Sequence, residues 1–395
     1  MPPSEPIPIT RPVLGDRELE LVQEPLKSGW LVQGPFVKKF EKAFCSFSGS
    51  AFALAVSNCT TALHLILQAL GLGPGDEVVV PSFTYVASAN AVEHTGARPV
   101  FCDIDLSTFN LDLEAVQRAI SPKTKAIMPV SLFGLSADMA SVIELARKND
   151  LYVVEDAACG LGARQNGRHA GTQGTAGAFS FHPRKAVTTG EGGMVTTQDA
   201  ELTAKIEKLR NHGAEATDLE RHLAHGGSLL PAFNLLGFNY RLTDLQGALG
   251  LAQMERAGAV IAARRAAAAE YNRLLKDLED FRPPVEPPGY EHCYQSYVVL
   301  LSGGKEPNLD RVAKLNRWRN RLMAAMEADG IQVRQGTHAV HTLGYYASKY
   351  GLEPEDFPNS LLADRLSITL PLFPGISREQ QKRVVGFLDR WREFH

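Results

Sequence analysis

The sequence has no apolar run long enough to span a bilayer, and its opening MPPSEPIPIT lacks the apolar core of a signal peptide. Neither sign of charge dominates. The 41 Lys and Arg against 44 Asp and Glu leave a net charge of −3, scattered singly, which argues against a nucleic-acid or membrane-surface partner. Cysteine is sparse: Cys45, Cys59, Cys102, Cys159 and Cys293 are odd in number and form no CxxC pair. Such usage fits a reducing compartment better than a disulfide framework or a zinc site. A cytoplasmic protein without a metal is expected. Also missing is a GxGxxG after the first strand-like run. GLGPGD at 71–76 follows a helical pattern instead and reads as its C-cap and turn, which removes the dinucleotide-binding reading. No internal repeat or low-complexity segment is present.

What is there is an alternation. Strand candidates are Phe52–Val56, Glu77–Val80, Pro99–Cys102, Ala126–Val130, Tyr152–Glu155, Ala178–Phe181 and Met194–Thr196. Helical patterns fall between them, for instance at 85–94, 112–120 and 137–148. This predicts an α/β fold with a mainly parallel seven-stranded sheet sandwiched by helices. At 395 residues the chain is long enough for two domains. A large one at 1–255, with a proline-rich N-terminal arm, is expected to precede a small α+β one at 256–395. A long alanine-rich helix from about Leu242 to Leu278 carries the chain between them, and Pro283-Pro284 and Pro287-Pro288 punctuate the entry to the second. Between 213 and 236 the texture is polar and irregular, with His222, His225 and Gly226-Gly227. A loop of that length usually serves function or reaches a partner.

Three stretches carry chemistry. In GAFSFHPRKAVTTGEGGM at 177–194, Lys185 stands on the loop between two short buried strands. Desolvation there is expected to lower its pKa and leave an amine able to attack a carbonyl, as a Schiff-base lysine must. A surface lysine on a hairpin would look similar. In LYVVEDAA at 151–158, four apolar residues run into Asp156 at the carboxyl end of a strand, where open α/β sheets place ligands. That position suits the carboxylate that keeps a pyridoxal-phosphate ring nitrogen protonated; an N-cap or metal-binding acid is the alternative. In SNCTTALHL at 57–65, a Thr/Asn-rich turn opens a helix, presenting amides and hydroxyls to an anion or simply capping.

Together with GPGDEVVVPSFTY (73–85) and GFNYRLTDLQGALGL (237–251), these stretches resemble the DegT/DnrJ/EryC1/StrS family of sugar aminotransferases, within the fold-type-I pyridoxal-phosphate enzymes. The similarity runs from about Gly29 to the C-terminus. It implies that Lys185 holds pyridoxal 5′-phosphate and shuttles the proton, that Asp156 pairs with the ring nitrogen, and that Tyr85 stacks on the ring. It implies further that Thr60, Ser180 and the amide of Cys59 hold the phosphate, and that Asn239 crosses a two-fold interface to the phosphate of the neighbour's cofactor. L-glutamate would donate the amino group, a nucleotide-linked keto-sugar would accept it, and the active unit would be a homodimer. Trp30 and Gly34 would lie near the substrate pocket. Cys159 stands where the family often has glutamine or histidine, so no role is carried over to it. A dehydratase branch carries histidine where Lys185 stands, so the lysine favours transamination. A cyclitol or other keto-polyol acceptor, and a non-catalytic regulator on this fold, are the remaining alternatives. His338 and His341 are expected at most to touch substrate.

Overall fold

The computed structural model describes residues 5–224 and 230–391. The start of the arm, His225 and the Gly226-Gly227 pair lie outside the described residues. Seven strands form the main sheet: β1 (Phe52–Val56), β2 (Glu77–Pro81), β3 (Arg98–Cys102), β4 (Thr124–Ile127), β5 (Tyr152–Asp156), β6 (Ala176–Ser180) and β7 (Gly193–Thr197). Their spatial order is β1-β7-β6-β5-β4-β2-β3, with β7 antiparallel to both its neighbours and the other pairs parallel. The expected sheet is therefore present. Its strands read as continuous apolar runs because helices cover both faces: Val78 and Val80 pack toward Leu65 and Ile66, while Val79 packs toward Val116 and Val142.

The sheet register gathers the three candidate stretches at one end. Ser180 pairs with Gly193, and Gly193 pairs with Val56, so the ends of β6 and β1 flank the start of β7. Asp156 ends β5 beside Ala178 of β6. The segment after the 213–236 excursion joins the same edge: Arg241 bridges Val56, and Ser57 donates its amide to the Tyr240 carbonyl at 2.9 Å.

The excursion is more ordered than its composition suggests. It contains the helix Asp218–Leu223, started by Thr217 and Glu220 as a capping box. The helix is too short for a periodicity to register. The long helix spans Asp244–Leu274, capped by Thr243 and Gln246. The division expected at 255/256 falls inside it. Beyond it a second sheet of three antiparallel strands, Phe281–Arg282, Tyr297–Leu301 and Ser367–Leu370, is covered by the helices Leu309–Ala328 and Arg378–Trp391. The alternating run Ile331–Arg334 makes only two isolated bridges, Ile7 to Ile331 and Arg334 to Thr369. Ser377 starts the last helix, its hydroxyl accepting from the Gln380 amide at 3.1 Å.

Candidate active site

The helix Cys59–Ala69 points its first turn at the carboxyl end of the sheet. Asn58 caps it, its Oδ1 accepting from the Thr61 amide at 2.9 Å. The amides of Cys59 and Thr60 occupy the first two helical positions, where no intrahelical acceptor exists. Strand β7 lies hard against this turn. A Cβ on Gly193 would meet the Asn58 carbonyl carbon at 2.4 Å and the Cys59 amide nitrogen at 2.7 Å, so only glycine allows the approach. Ser180, across the register from Gly193, completes a cradle of amides and hydroxyls backed by the positive end of a helix.

Asp156 faces the other side of the site. It is only 5% exposed, and two donors fix it: Ser88 Oγ gives to Oδ2 at 2.7 Å and the Ala158 amide to Oδ1 at 3.1 Å. Burial nonetheless dominates and pushes its carboxyl above the usual range. A cation set against it would reverse that push. Its neighbour Glu155 turns to the opposite face and accepts three amides, those of Gly171, Gln173 and Gly174, at 2.6 to 2.7 Å, tying down the loop that leads into β6.

Lys185 lies partly buried on the loop between β6 and β7. Gln295 holds that loop from both sides, its Oε1 accepting from the Ala186 amide at 3.1 Å and its Nε2 donating to the Arg184 carbonyl at 2.6 Å. Gln253 of the long helix accepts from the Thr188 amide at 3.3 Å. The Lys185 Nζ donates to Cys159 Sγ at 3.0 Å. Burial acts to lower the lysine's pKa, as the sequence suggested, but Cys159, Cys59 and Asp156 outweigh it and the net direction is upward. The correction has a simple cause: sequence pattern reveals burial but not the facing thiols and carboxylate. Burial pushes the Cys59 thiol well above its ordinary range.

Tyr85 is 65% exposed and opens on a cavity of about 320 Å³ that Arg184, Gln295, Arg334 and His338 also line. His338 pairs with Thr84 in a short antiparallel bridge. His341 is fully buried, with Nδ1 2.5 Å from Ser82 Oγ and Nε2 3.0 Å from the Pro354 carbonyl, so both ring nitrogens serve the fold and substrate contact is ruled out for it. Asn239 is exposed and does not cap the long helix, since Thr243 does. Trp30 packs on His222, ring centroids 4.9 Å apart, and Gly34 donates its amide to Asp244 Oδ1 at 3.0 Å.

Thus Asp156, Lys185, Ser180 and the Cys59–Thr60 turn converge at one end of the sheet, with Tyr85 at the mouth. Sequence reasoning missed Ser88, Gln295 and the Cys159 contact. Only Ser88 left a trace, lying one helical turn after Tyr85. The arrangement suits a ligand with an anionic tail, a basic ring nitrogen and a reactive carbonyl: amides for the first, Asp156 for the second, Lys185 for the third.

Residues 12–389 match the profile of the DegT/DnrJ/EryC1/StrS aminotransferase family. The chain belongs to that family. It is a pyridoxal-phosphate-dependent aminotransferase. GDP-perosamine synthase of Caulobacter vibrioides is 39% identical to it, over 97% of this chain and 98% of that one. PseC of Helicobacter pylori, an aminotransferase of pseudoaminic acid biosynthesis, superposes with a TM-score of 0.89 at 26% identity, covering 99% of this aminotransferase and 100% of PseC. Spr1654 of Streptococcus pneumoniae in its PLP form gives a TM-score of 0.88 at 26% identity, covering 98% and 99%.

Proposed function

We propose that the enzyme transfers the amino group of L-glutamate, by way of pyridoxal phosphate held at this site, to a keto group of a nucleotide-linked deoxy-sugar. The observation that carries the reading is the placement of the Lys185 amine between the Asp156 carboxylate and the free amides of the Cys59–Thr60 turn. The kinship with GDP-perosamine synthase, by its name a maker of a nucleotide-linked sugar, supports the acceptor class.

When bound, pyridoxal phosphate supplies the electron sink that lets a proton leave the carbon bearing the amino group. The chain's residues do the rest. Lys185 would hold the cofactor, and its amine, once free, would move the proton. Asp156, kept in place by Ser88 and Ala158, supplies the negative charge at the ring nitrogen. Thr60, Ser180 and the Cys59 amide would hold the phosphate, and Tyr85 would lie against the ring. The working unit is a homodimer in which Asn239 reaches the neighbour's phosphate. Exposed apolar side chains support this: Leu31, Val32, Phe233 and Leu236, the last 93% exposed, are more than an isolated monomer leaves in water without cause. The cofactor-binding unit is 1–255 and the small unit 256–395, with the long helix shared.

Purified protein is expected to be yellow and to lose its visible band on adding glutamate. Lys185→Ala should fold and bind cofactor yet give no turnover. Wild-type turnover by Lys185→Ala would overturn the proposal.

A further inference from the structure

The cavity beside Tyr85 holds a pattern of charge that the phosphate and ring contacts leave unused. Arg184 and Arg334 both line it, one from the residue before Lys185, the other from the bridge to Thr369 at the second sheet. Neither guanidinium forms an ion pair or a side-chain hydrogen bond among the described residues, and no Asp or Glu stands among the described residues of the cavity wall. The two like charges oppose one another. Burial first, and then the charge of Arg334, draws the Arg184 pKa down. An anion set between them would relieve that repulsion.

The size and place of the cavity decide which anion. At about 320 Å³ it lies at the low end of ligand pockets and has room for a small dicarboxylate. Arg184 is the next residue to Lys185, so its backbone lies about 3.8 Å from the lysine's. Gln295 fixes that step by bonding the Arg184 carbonyl and the Ala186 amide. An amino donor must bring its nitrogen to the cofactor carbon that Lys185 would hold, displacing the lysine amine there, while its own carboxylates lie a few bonds away. In a nucleotide-linked sugar the keto carbon is held off from the phosphates by the sugar ring. Two planar forks match two carboxylates, each able to bind bidentately, in a way that ammonium groups do not.

We propose that Arg184 and Arg334 form the subsite for the two carboxylates of the amino donor and so select a dicarboxylic amino acid over its amide. The assignment rests on the amino-transfer reading above and names the residues that give it its donor.

Amino transfer splits into two half-reactions, which separates the possibilities. Arg334→Gln should weaken glutamate in the first half-reaction, followed by loss of the visible band, by about tenfold or more, the usual scale of one charged hydrogen bond. The second half-reaction, with the pyridoxamine-loaded enzyme and a keto-sugar nucleotide, should change by less than about twofold. Arg334→Lys should recover only part of the loss. Calorimetry gives a readout apart from turnover: glutarate should bind wild-type protein and bind Arg334→Gln and Arg184→Gln at least about tenfold more weakly. Both side chains are exposed, so melting temperatures should match wild type. Unchanged glutarate and glutamate binding would overturn the subsite. A defect confined to the second half-reaction would overturn it too, by giving the pair to the nucleotide phosphates. Failure of wild-type protein to react with any donor would sink the amino-transfer reading, while glutarate binding would still decide the arginine pair.

Discussion

Asp156 shows what a single residue contributes that its shape alone does not. Asparagine there would keep the Ala158 amide on its Oδ1 and give its Nδ2–H to the Ser88 hydroxyl, which turns from donor to acceptor, so the local frame survives. What disappears is the charge. Asp156→Asn is therefore expected to slow a single turnover with glutamate about a hundredfold or more, on the scale of losing one preorganised electrostatic group, while cofactor affinity changes far less. Stopped-flow decay of the visible band checks this, and unchanged rates would reduce Asp156 to a strand-end acid. Lys185, Asp156 and the Cys59–Thr60 turn were legible in the sequence because each is declared by its own neighbours: an apolar run, a glycine turn, a capping residue. Ser88 and Gln295 were not, because each acts on a partner 68 or about 110 positions away. The direction of the Lys185 shift was misread for the same reason, since its deciding thiols come from other segments.

At the scale of elements, strand positions were read to within a few residues because both faces of the sheet are buried and the runs are unbroken. The exceptions obey physics that pattern does not record. Ile331–Arg334 meets only single partners, so alternation without a neighbouring strand yields bridges instead of a ladder. The contact between β7 and the Cys59–Ala69 helix was equally hidden, though the glycines of GEGG hinted at a close approach. Gly193→Ala forces a methyl into the backbone of Asn58 and Cys59. The turn must move or β7 must shift, an overpacking cost of about 1–3 kcal/mol. Cofactor affinity should drop about tenfold, with a lower melting temperature, as fluorescence titration and thermal melts would register. Full affinity would mean that the turn does not hold the phosphate.

On the scale of the whole molecule, the fold class was legible and the assembly was not, because alternation specifies a sheet but says nothing of which surface meets a second copy. The dimer reading has a direct test. Lys185→Ala and Asn239→Ala proteins should each be weak alone. Refolded together, half the dimers are mixed, and in each of these one site escapes both changes, giving roughly a quarter of wild-type activity. A mixture no better than its parents would show that each site is built within one chain.

The Gln295 clamp has a consequence for how the enzyme comes into being. Thr60, Asp156, Ser180, Lys185 and Asn239 all leave the ribosome before residue 295 does. For as long as it takes to synthesise that remainder, the growing chain owns its reactive lysine but not the amide that fixes the loop on either side of it. The clamp on the lysine loop is therefore completed late, with the C-terminal part. A chain released early carries most of the chemistry's residues but lacks the two Gln295 bonds that hold the Lys185 loop.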